Sequence, residues 1–340
     1  MQVIWYGHRG VAWVLLLPLS WLFGLIVALR YWAFRIGLLA SVRVAKPVIV
    51  IGNLTVGGTG KTPLVIWLAN ALAAQNIKVA VIARGYRGAA TVWPQAVTAS
   101  SDPLMVGDEP VLIAQQTSAL VFAGPDRVAS AESAIAAGAE LIISDDGLQH
   151  YRLQRDGELV VVDNSRMLGN GCLLPAGPLR ESERCLRRVD LVLLNRRNET
   201  QPNTLNLPTL EFKVRLTQLR SLKTGEQRVL QSLRGLQVHV VTGIGNPQAF
   251  IAALQTHGLK VDARVLPDHA AFKLDDIQFG DALPVLMTEK DAVKCRALAV
   301  TANHWAVGAE ALLDATTAAA VLRCVQQAMQ RRESRSANVG

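Results

Sequence analysis

Residues Val48 to Pro63 read VIVIGNLTVGGTGKTP: an apolar β-branched run, a glycine-rich turn, Gly60-Lys61-Thr62, then the start of a helix-forming segment. No other stretch restricts the fold of this chain so tightly. A strand delivering a glycine-rich loop to a helix N-terminus lets backbone N–H groups close around a polyphosphate while the helix dipole points at it. The candidate cradle for a nucleotide's phosphates is Thr55, Val56, Gly57, Gly58, Thr59, Gly60, Lys61 and Thr62. In it Lys61 would neutralise the β- and γ-phosphates and the Thr62 hydroxyl would bind Mg²⁺. The pattern G-x-x-x-x-G-K-[ST] holds except at its first position, where Thr55 stands for glycine.

Beyond Pro47, short apolar runs alternate with Ala-rich stretches. Val48–Ile51, Val79–Ala83, Leu120–Ala123, Leu141–Ser144, Leu159–Val162 and Leu191–Leu194 read as buried strands, and Pro63–Gln75, Pro110–Gln116 and Val128–Ala137 as helices. This predicts an α/β fold, a P-loop NTPase-type mostly parallel sheet with helices on both faces. Residues 164–190, rich in Gly and Pro, read as an excursion. After a polar stretch at Asn195–Asn206, strands at Val238–Val241, Lys260–Val265, Val285–Met287 and Trp305–Val307 and a closing helix at Ala309–Arg331 form a smaller C-terminal α/β unit. The expected divisions are an N-terminal anchor at 1–46, a kinase core at 47–206, the C-terminal unit at 207–330 and a disordered tail at 331–340.

The N-terminus is of another kind. Val11 to Leu29 carries no charge, and as a helix it would reach about 28 Å, close to the thickness of a bilayer's hydrocarbon core. Pro18, Ser20 and Gly24 interrupt it, and Arg30-Tyr31-Trp32-Ala33-Phe34-Arg35 mixes cations with aromatics as interfacial segments do. A single span and a surface-embedded helix both fit, with a buried core helix as the remaining alternative. Charge supports membrane contact. The chain has 35 Lys and Arg against 27 Asp and Glu. Nine of those cations precede the first acid, Asp102, leaving 26 against 27 for the rest. The basic excess is therefore N-terminal and calls for anionic partners: lipid headgroups beside Arg30, Arg35, Arg43 and Lys46, and phosphate near Lys61. With 50% hydrophobic residues, the chain is neither disordered nor a nucleic-acid-binding arm, and it shows no signal for an obligate protein partner. The cysteines, Cys172, Cys185, Cys295 and Cys324, lack metal-ligand spacing and read as reduced thiols.

Phosphoryl transfer needs carboxylates near the cradle. Leu141-Ile142-Ile143-Ser144-Asp145-Asp146-Gly147 places paired acids at a strand end, where Asp145 and Asp146 would serve Mg²⁺. Gly107-Asp108-Glu109-Pro110 puts Asp108 at a helix start, either as a cap or as a carboxylate that accepts, directly or through a histidine, the proton of an attacking hydroxyl. His269, in Pro267-Asp268-His269-Ala270, is a histidine on a loop after a strand. Arg84, Arg87, Arg127 and Arg180 are candidate phosphate contacts, Arg127 the best placed. Thr288-Glu289-Lys290-Asp291 resembles a guanine-binding signature and keeps a GTPase reading open.

The whole set, GNLTVGGTGKTP, ARGYRG, GDEP, AGPDR, SDDGLQH, PAGPLRE, GIGNP, PDHAAF and TEKDAVK, resembles in order and spacing the tetraacyldisaccharide 4'-kinases of bacterial lipid A biosynthesis, over about residues 1–330. The resemblance implies γ-phosphoryl transfer from ATP to the 4'-hydroxyl of an acylated disaccharide 1-phosphate, at the cytoplasmic face of the inner membrane. It also implies that Asp108 and His269 form the dyad activating the sugar hydroxyl, with Lys61 at the transferring phosphate. The residues ask for the same acceptor class independently, since an acylated sugar leaves a bilayer at a cost of about 0.8 kcal/mol per CH₂.

Overall fold

A computed structural model describes residues 2–7, 10–197, 199–268, 270–296 and 298–337. The chain begins with α1 (Gln2–Tyr6) and α2 (Val11–Arg35), then enters the sheet with β1 (Val48–Gly52), α3 (Lys61–Ala73), β2 (Val79–Ala83) and β3 (Gln95–Val97). There follow α4 (Pro103–Val106), α5 (Asp108–Gln116), β4 (Leu120–Ala123), α6 (Arg127–Ala136), β5 (Leu141–Asp145), β6 (Gly157–Asp163) and β7 (Leu191–Asn195). The second half adds β8 (Leu210–Ser221), β9 (Gln227–Val229), β10 (Gln237–Thr242), α7 (Pro247–Thr256), β11 (Lys260–Val265), α8 (Leu274–Ile277), β12 (Val285–Thr288), α9 (Glu289–Lys294), β13 (His304–Leu313) and α10 (Ala315–Ala337).

All strands join one sheet, ordered β11-β10-β12-β13-β8-β7-β6-β1-β5-β2-β4-β3, with β9 on β8. From β7 to β4 the pairing is parallel, so every strand end there is reached through a crossover. Side-chain alternation along β1 explains the two helical layers. Ile49 and Ile51 join Leu64, Leu68 and Leu72 of α3 in one buried cluster. Val48 and Val50 pack with Ala131 and Ala134 of α6 in another. In the second half β13-β12-β10-β11 are again parallel. The two parallel fields are linked through β8, parallel to β7 and antiparallel to β13.

That link was the least visible part of the sequence. Ala309–Leu313, expected to open the closing helix, belongs to β13, where Ala309, Ala311 and Leu313 pair with Leu216, Val214 and Phe212 of β8. Cross-strand packing outweighs the helix propensity of alanine here. The closing helix spans Ala315–Ala337, so residues 331–337 of the expected disordered tail are helical, and 338–340 lie outside the described residues. The 206/207 division falls between β7 and β8, which pair directly. All four cysteines are free, and Cys185, Cys295 and Cys324 are buried.

The 164–190 excursion is where α1 and α2 dock. The Ser20 hydroxyl donates to the Leu173 carbonyl at 2.7 Å and accepts from the Ala176 N–H at 2.9 Å. A Cβ on Gly24 would lie 2.8 Å from Leu173 Cδ1, so a larger residue there would require the Leu173 side chain to shift. Further along, Tyr31 and Phe34 pack against Tyr151, with ring centroids 5.6 and 5.9 Å apart. The remaining faces of α2 are open, with Val11, Leu15, Trp21, Leu22, Leu25, Ile26 and Leu29 exposed.

Candidate active site

Between β1 and α3 the loop takes a conformation its glycines allow. Gly57 and Gly60 lie at φ +107° and +93°, and a Cβ on Gly60 would sit 2.5 Å from Asn195 Nδ2. Asn195, at the end of β7, uses that nitrogen to donate to the Thr59 carbonyl at 3.0 Å, fixing the loop from the neighbouring strands. On the other flank the excursion returns. Val56 N–H donates to the Pro178 carbonyl at 2.9 Å and Arg180 N–H to the Leu54 carbonyl at 2.7 Å. The Lys61 ammonium donates to Asn53 Oδ1 at 2.8 Å and lies 3.4 Å from Asp146 Oδ1.

Asp145 ends β5, which lies beside β1, and Asp146 follows in the turn. Their environments diverge. Asp146 receives a two-pronged contact from the Arg180 guanidinium, at 2.8 and 2.7 Å. Burial pushes its pKa up, but Lys61 and Arg180 outweigh burial and hold it well below the usual carboxylate range. Asp145 is fully enclosed, and burial first and the charge of Glu109 second raise it to about 7. Its Oδ1, like Thr59 Oγ1, is buried without a hydrogen-bond partner among the described residues.

Arg127, expected to contact phosphate, is buried and donates to the carbonyls of Gly124 at 3.1 Å and Asp145 at 3.0 Å. Burial lowers its pKa to about 10, opposed by Asp145 and Asp146, so the guanidinium stays charged at neutral pH. It fixes the ends of β4 and β5. His150 lies in the same field, its pKa lowered to about 4 by burial, then by Arg127 and Arg84.

Asp108 opens α5 and is buried, its Oδ1 accepting from Glu109 N–H at 2.9 Å and its Oδ2 lying 3.4 Å from the Lys294 ammonium. Glu109 pairs with Lys290 at 2.8 Å. Both lysines stand on α9, so the second half of the chain closes onto the helix bearing Asp108. His269, the expected partner of Asp108, lies outside the described residues. The second half also reaches the phosphate loop: a Cβ on Gly245 would meet Gly58 N at 2.7 Å and Gly57 Cα at 3.0 Å. Arg166 holds that approach, donating to the Gly245 carbonyl at 3.1 Å and Asn246 Oδ1 at 2.8 Å. Arg197 pairs with buried Asp163 at 3.1 Å and donates to the Gly58 carbonyl at 3.4 Å.

Sequence reasoning passed over Asn53, Asn195, Arg166, Arg197 and Lys294. Asn53 sits inside the loop pattern and was there to be found; the others reach the site from distant segments. The guanine-type reading of Thr288–Asp291 fails on burial. Asp291 is wholly enclosed, its carboxylate accepting from Thr242 at 2.9 Å and Thr288 at 2.8 Å and paired with Lys294 at 3.1 Å, which leaves it no face for a purine.

A phosphate cradle between β1 and α3, with carboxylates at the end of the adjacent β5, defines a P-loop nucleotide-dependent phosphotransferase. The sequence model of the Tetraacyldisaccharide-1-P 4'-kinase family matches residues 12–327, and the chain belongs to that family. A Tetraacyldisaccharide 4'-kinase of Nitrosococcus oceani is 45% identical over 331 residues, 96% of this chain and 95% of that protein. One from Colwellia psychrerythraea is 46% identical, covering 87% and 88% of the two chains. The crystal structure of the "apo" form of LpxK from Aquifex aeolicus in complex with ATP superimposes with a TM-score of 0.77 at 27% identity, over 94% of this chain and all of that one.

Proposed function

We propose that this protein transfers the γ-phosphoryl group of ATP to the 4'-hydroxyl of a tetraacylated glucosamine disaccharide 1-phosphate, giving the 1,4'-bisphosphate, lipid IVA. The family carries the reaction class. The structural observation that carries the acceptor class is that one segment touches both regions the reaction needs. Residues 173–176 hold α2 through Ser20, while Pro178 and Arg180 brace the phosphate loop.

In this reading Thr55 to Thr62 cradle the triphosphate, and Lys61 leaves Asn53 to meet the β- and γ-phosphates. Arg127 holds the strand ends that carry the acids. Asp108, with His269, takes the proton from the 4'-oxygen as that oxygen bonds to the γ-phosphorus and the bond to ADP breaks. Asp146 keeps Arg180 and Lys61 beside the transferring group. The orphaned buried oxygen of Asp145 fits a cation ligand, so Thr62 and Asp145, with Asp146 alongside, would hold Mg²⁺, which when bound neutralises phosphate charge.

The exposed apolar faces of α2 point to membrane association. The helix is long and apolar enough to cross a bilayer. Its contacts from Ser20 to Phe34 nevertheless hold about 20 Å of it against the catalytic core, which favours a surface-embedded helix over a span. Arg30, Arg35, Arg43 and Lys46 would face anionic headgroups on the cytoplasmic side, where ATP is available. The test compares ATP with GTP, each with and without acylated acceptor. Acceptor-dependent ATP consumption is expected; GTP hydrolysis that ignores the lipid would sink the reading.

A further inference from the structure

Near the end of the excursion, Glu183-Arg184-Cys185-Leu186-Arg187 forms a 3₁₀ turn with Cys185 and Leu186 buried in the core and both arginines exposed. Residues three apart on such a turn stand one above the other, so the two guanidinium groups leave from the same side. Neither makes a hydrogen bond or ion pair among the described residues, whereas the adjacent Arg188 is engaged over the Tyr31 ring, 4.1 Å from its centroid. Arg184 and Arg187 line a cavity of about 490 Å³ between this turn and α2, with Glu183 on the same rim and Leu17, Trp21, Leu173 and Leu207 as apolar walls. Helical geometry separates this cavity from the active site. At 3.6 residues per turn, Leu17 and Trp21 project roughly 60° and 100° to one side of Ser20, and Arg30 roughly 80° to the other. The charge of Arg30 reaches His150, so the cavity opens on the flank of α2 turned away from that field.

We propose that this cavity holds one anionic glycerophospholipid of the bilayer, distinct from the acceptor, with its phosphate on Arg184 and Arg187 and a chain along Leu17 and Trp21. This rests on the reading of α2 as a membrane-surface helix. The cavity falls within the range of about 300–1,000 Å³ typical of small-molecule sites, room for a headgroup and the first carbons of a chain whose remainder stays in the bilayer. Charge selects the ligand: two guanidinium groups face one carboxylate, Glu183, and planar guanidinium groups pair with phosphate oxygens. Placement selects the source. One wall is the helix whose exposed face meets lipid, and tryptophans such as Trp21 favour the depth of the headgroups. A soluble anion would satisfy the arginines but leave the apolar wall wet. The same excursion braces the phosphate loop through Pro178 and Arg180, so a lipid seated here would fix how the catalytic core is turned about α2 on the membrane.

Cys172 lines the cavity and is partly exposed, whereas the other three cysteines are buried, so its thiol reports occupancy. The test binds the full chain to saturating vesicles of phosphatidylcholine, with or without added phosphatidylglycerol, and follows maleimide labelling of Cys172 by mass spectrometry. Phosphatidylglycerol is expected to slow labelling of the wild type by about tenfold or more, as contacts to charged groups imply. Arg184→Gln/Arg187→Gln should label at one rate in both lipids, while Arg35→Gln/Lys46→Gln, which removes cations elsewhere on the membrane face, should keep the protection. Equal labelling of the wild type in both lipids, or protection lost equally in the two double variants, would overturn the site. So would protection by the acylated acceptor in phosphatidylcholine that also needs Arg184 and Arg187, since the cavity would then belong to the acceptor. Failure to bind vesicles at all would overturn the membrane reading of α2 and the site with it, whereas bound protein with Cys172 unprotected overturns the site alone.

Discussion

At the phosphate-loop end of the sheet Asp108, Arg127 and Asp145 are 7%, 3% and 3% exposed, while along α2 Val11, Leu15 and Trp21 are 78%, 71% and 70% exposed. The two regions invert the usual partition of charge outside and apolar surface inside, in opposite directions. Each inversion is sustained by a different means. The buried charges sit in a net of paired carboxylates, guanidinium groups and main-chain carbonyls, which costs desolvation but leaves them fixed for a highly charged ligand. The apolar helix α2 is held instead along a seam that includes Ser20, Gly24, Tyr31 and Phe34, and its exposed surface matches a lipid environment. Residues 173–180 touch both, so the comparison describes two ends of one working surface.

The sharpest way to break it is at the charged end. Lys61→Ala is expected to lower turnover by about 10²- to 10³-fold, because the loop loses its cation at the transferring phosphate. Asp108→Ala and His269→Ala should each cost about 10²-fold or more with ATP binding retained, as titration with nucleotide would show. At the apolar end, changing exposed Leu15, Leu22 and Ile26 to serine should weaken binding to anionic vesicles by at least about 10²-fold, since each removes apolar area worth more than about 1 kcal/mol on burial. The thermal midpoint in detergent should not move, because those side chains do not touch the core. A fall in stability instead would show that the helix is packed rather than lipid-facing.

Smaller effects probe the seam and the field. Ser20→Ala strands the buried Ala176 N–H and should cost about 1–3 kcal/mol of unfolding free energy, read by denaturant titration. His150 contributes a pH dependence with a definite sign. Its folded pKa, about 4, lies below the ordinary 6.5, so between those values the unfolded chain binds a proton that the native protein refuses. Stability should therefore fall as pH drops from 6.5 toward 4, and His150→Gln should flatten that slope.

How legible each region was follows from the range of its interactions. The phosphate loop is written locally: a buried strand, glycines that can take positive φ, and a lysine at a helix start all lie within Val48–Pro63. The apolar run of α2 is equally local. Its seam was not, because Leu173 and Ala176 lie more than 150 residues away in an excursion without periodicity. For β13 the local signal misled, since alanines read as helix until β8 is laid beside them. Arg127 was found by its charge, yet its direction, onto two carbonyls, depends on where β4 and β5 end. Asn195 on Thr59 and Lys294 on Asp108 unite segments distant in the chain, which no spacing rule in one sequence encodes.

The central claim is that the buried charges and the exposed apolar helix serve a single acceptor. Its most direct test incubates the purified full chain with γ-labelled ATP, Mg²⁺ and a monophosphorylated, tetraacylated glucosamine disaccharide, and locates the label on the product by mass spectrometry and phosphorus NMR. The account predicts a new phosphomonoester at the 4'-oxygen, formed only when the acceptor is present. Label released as inorganic phosphate at the same rate with and without the acceptor would contradict it.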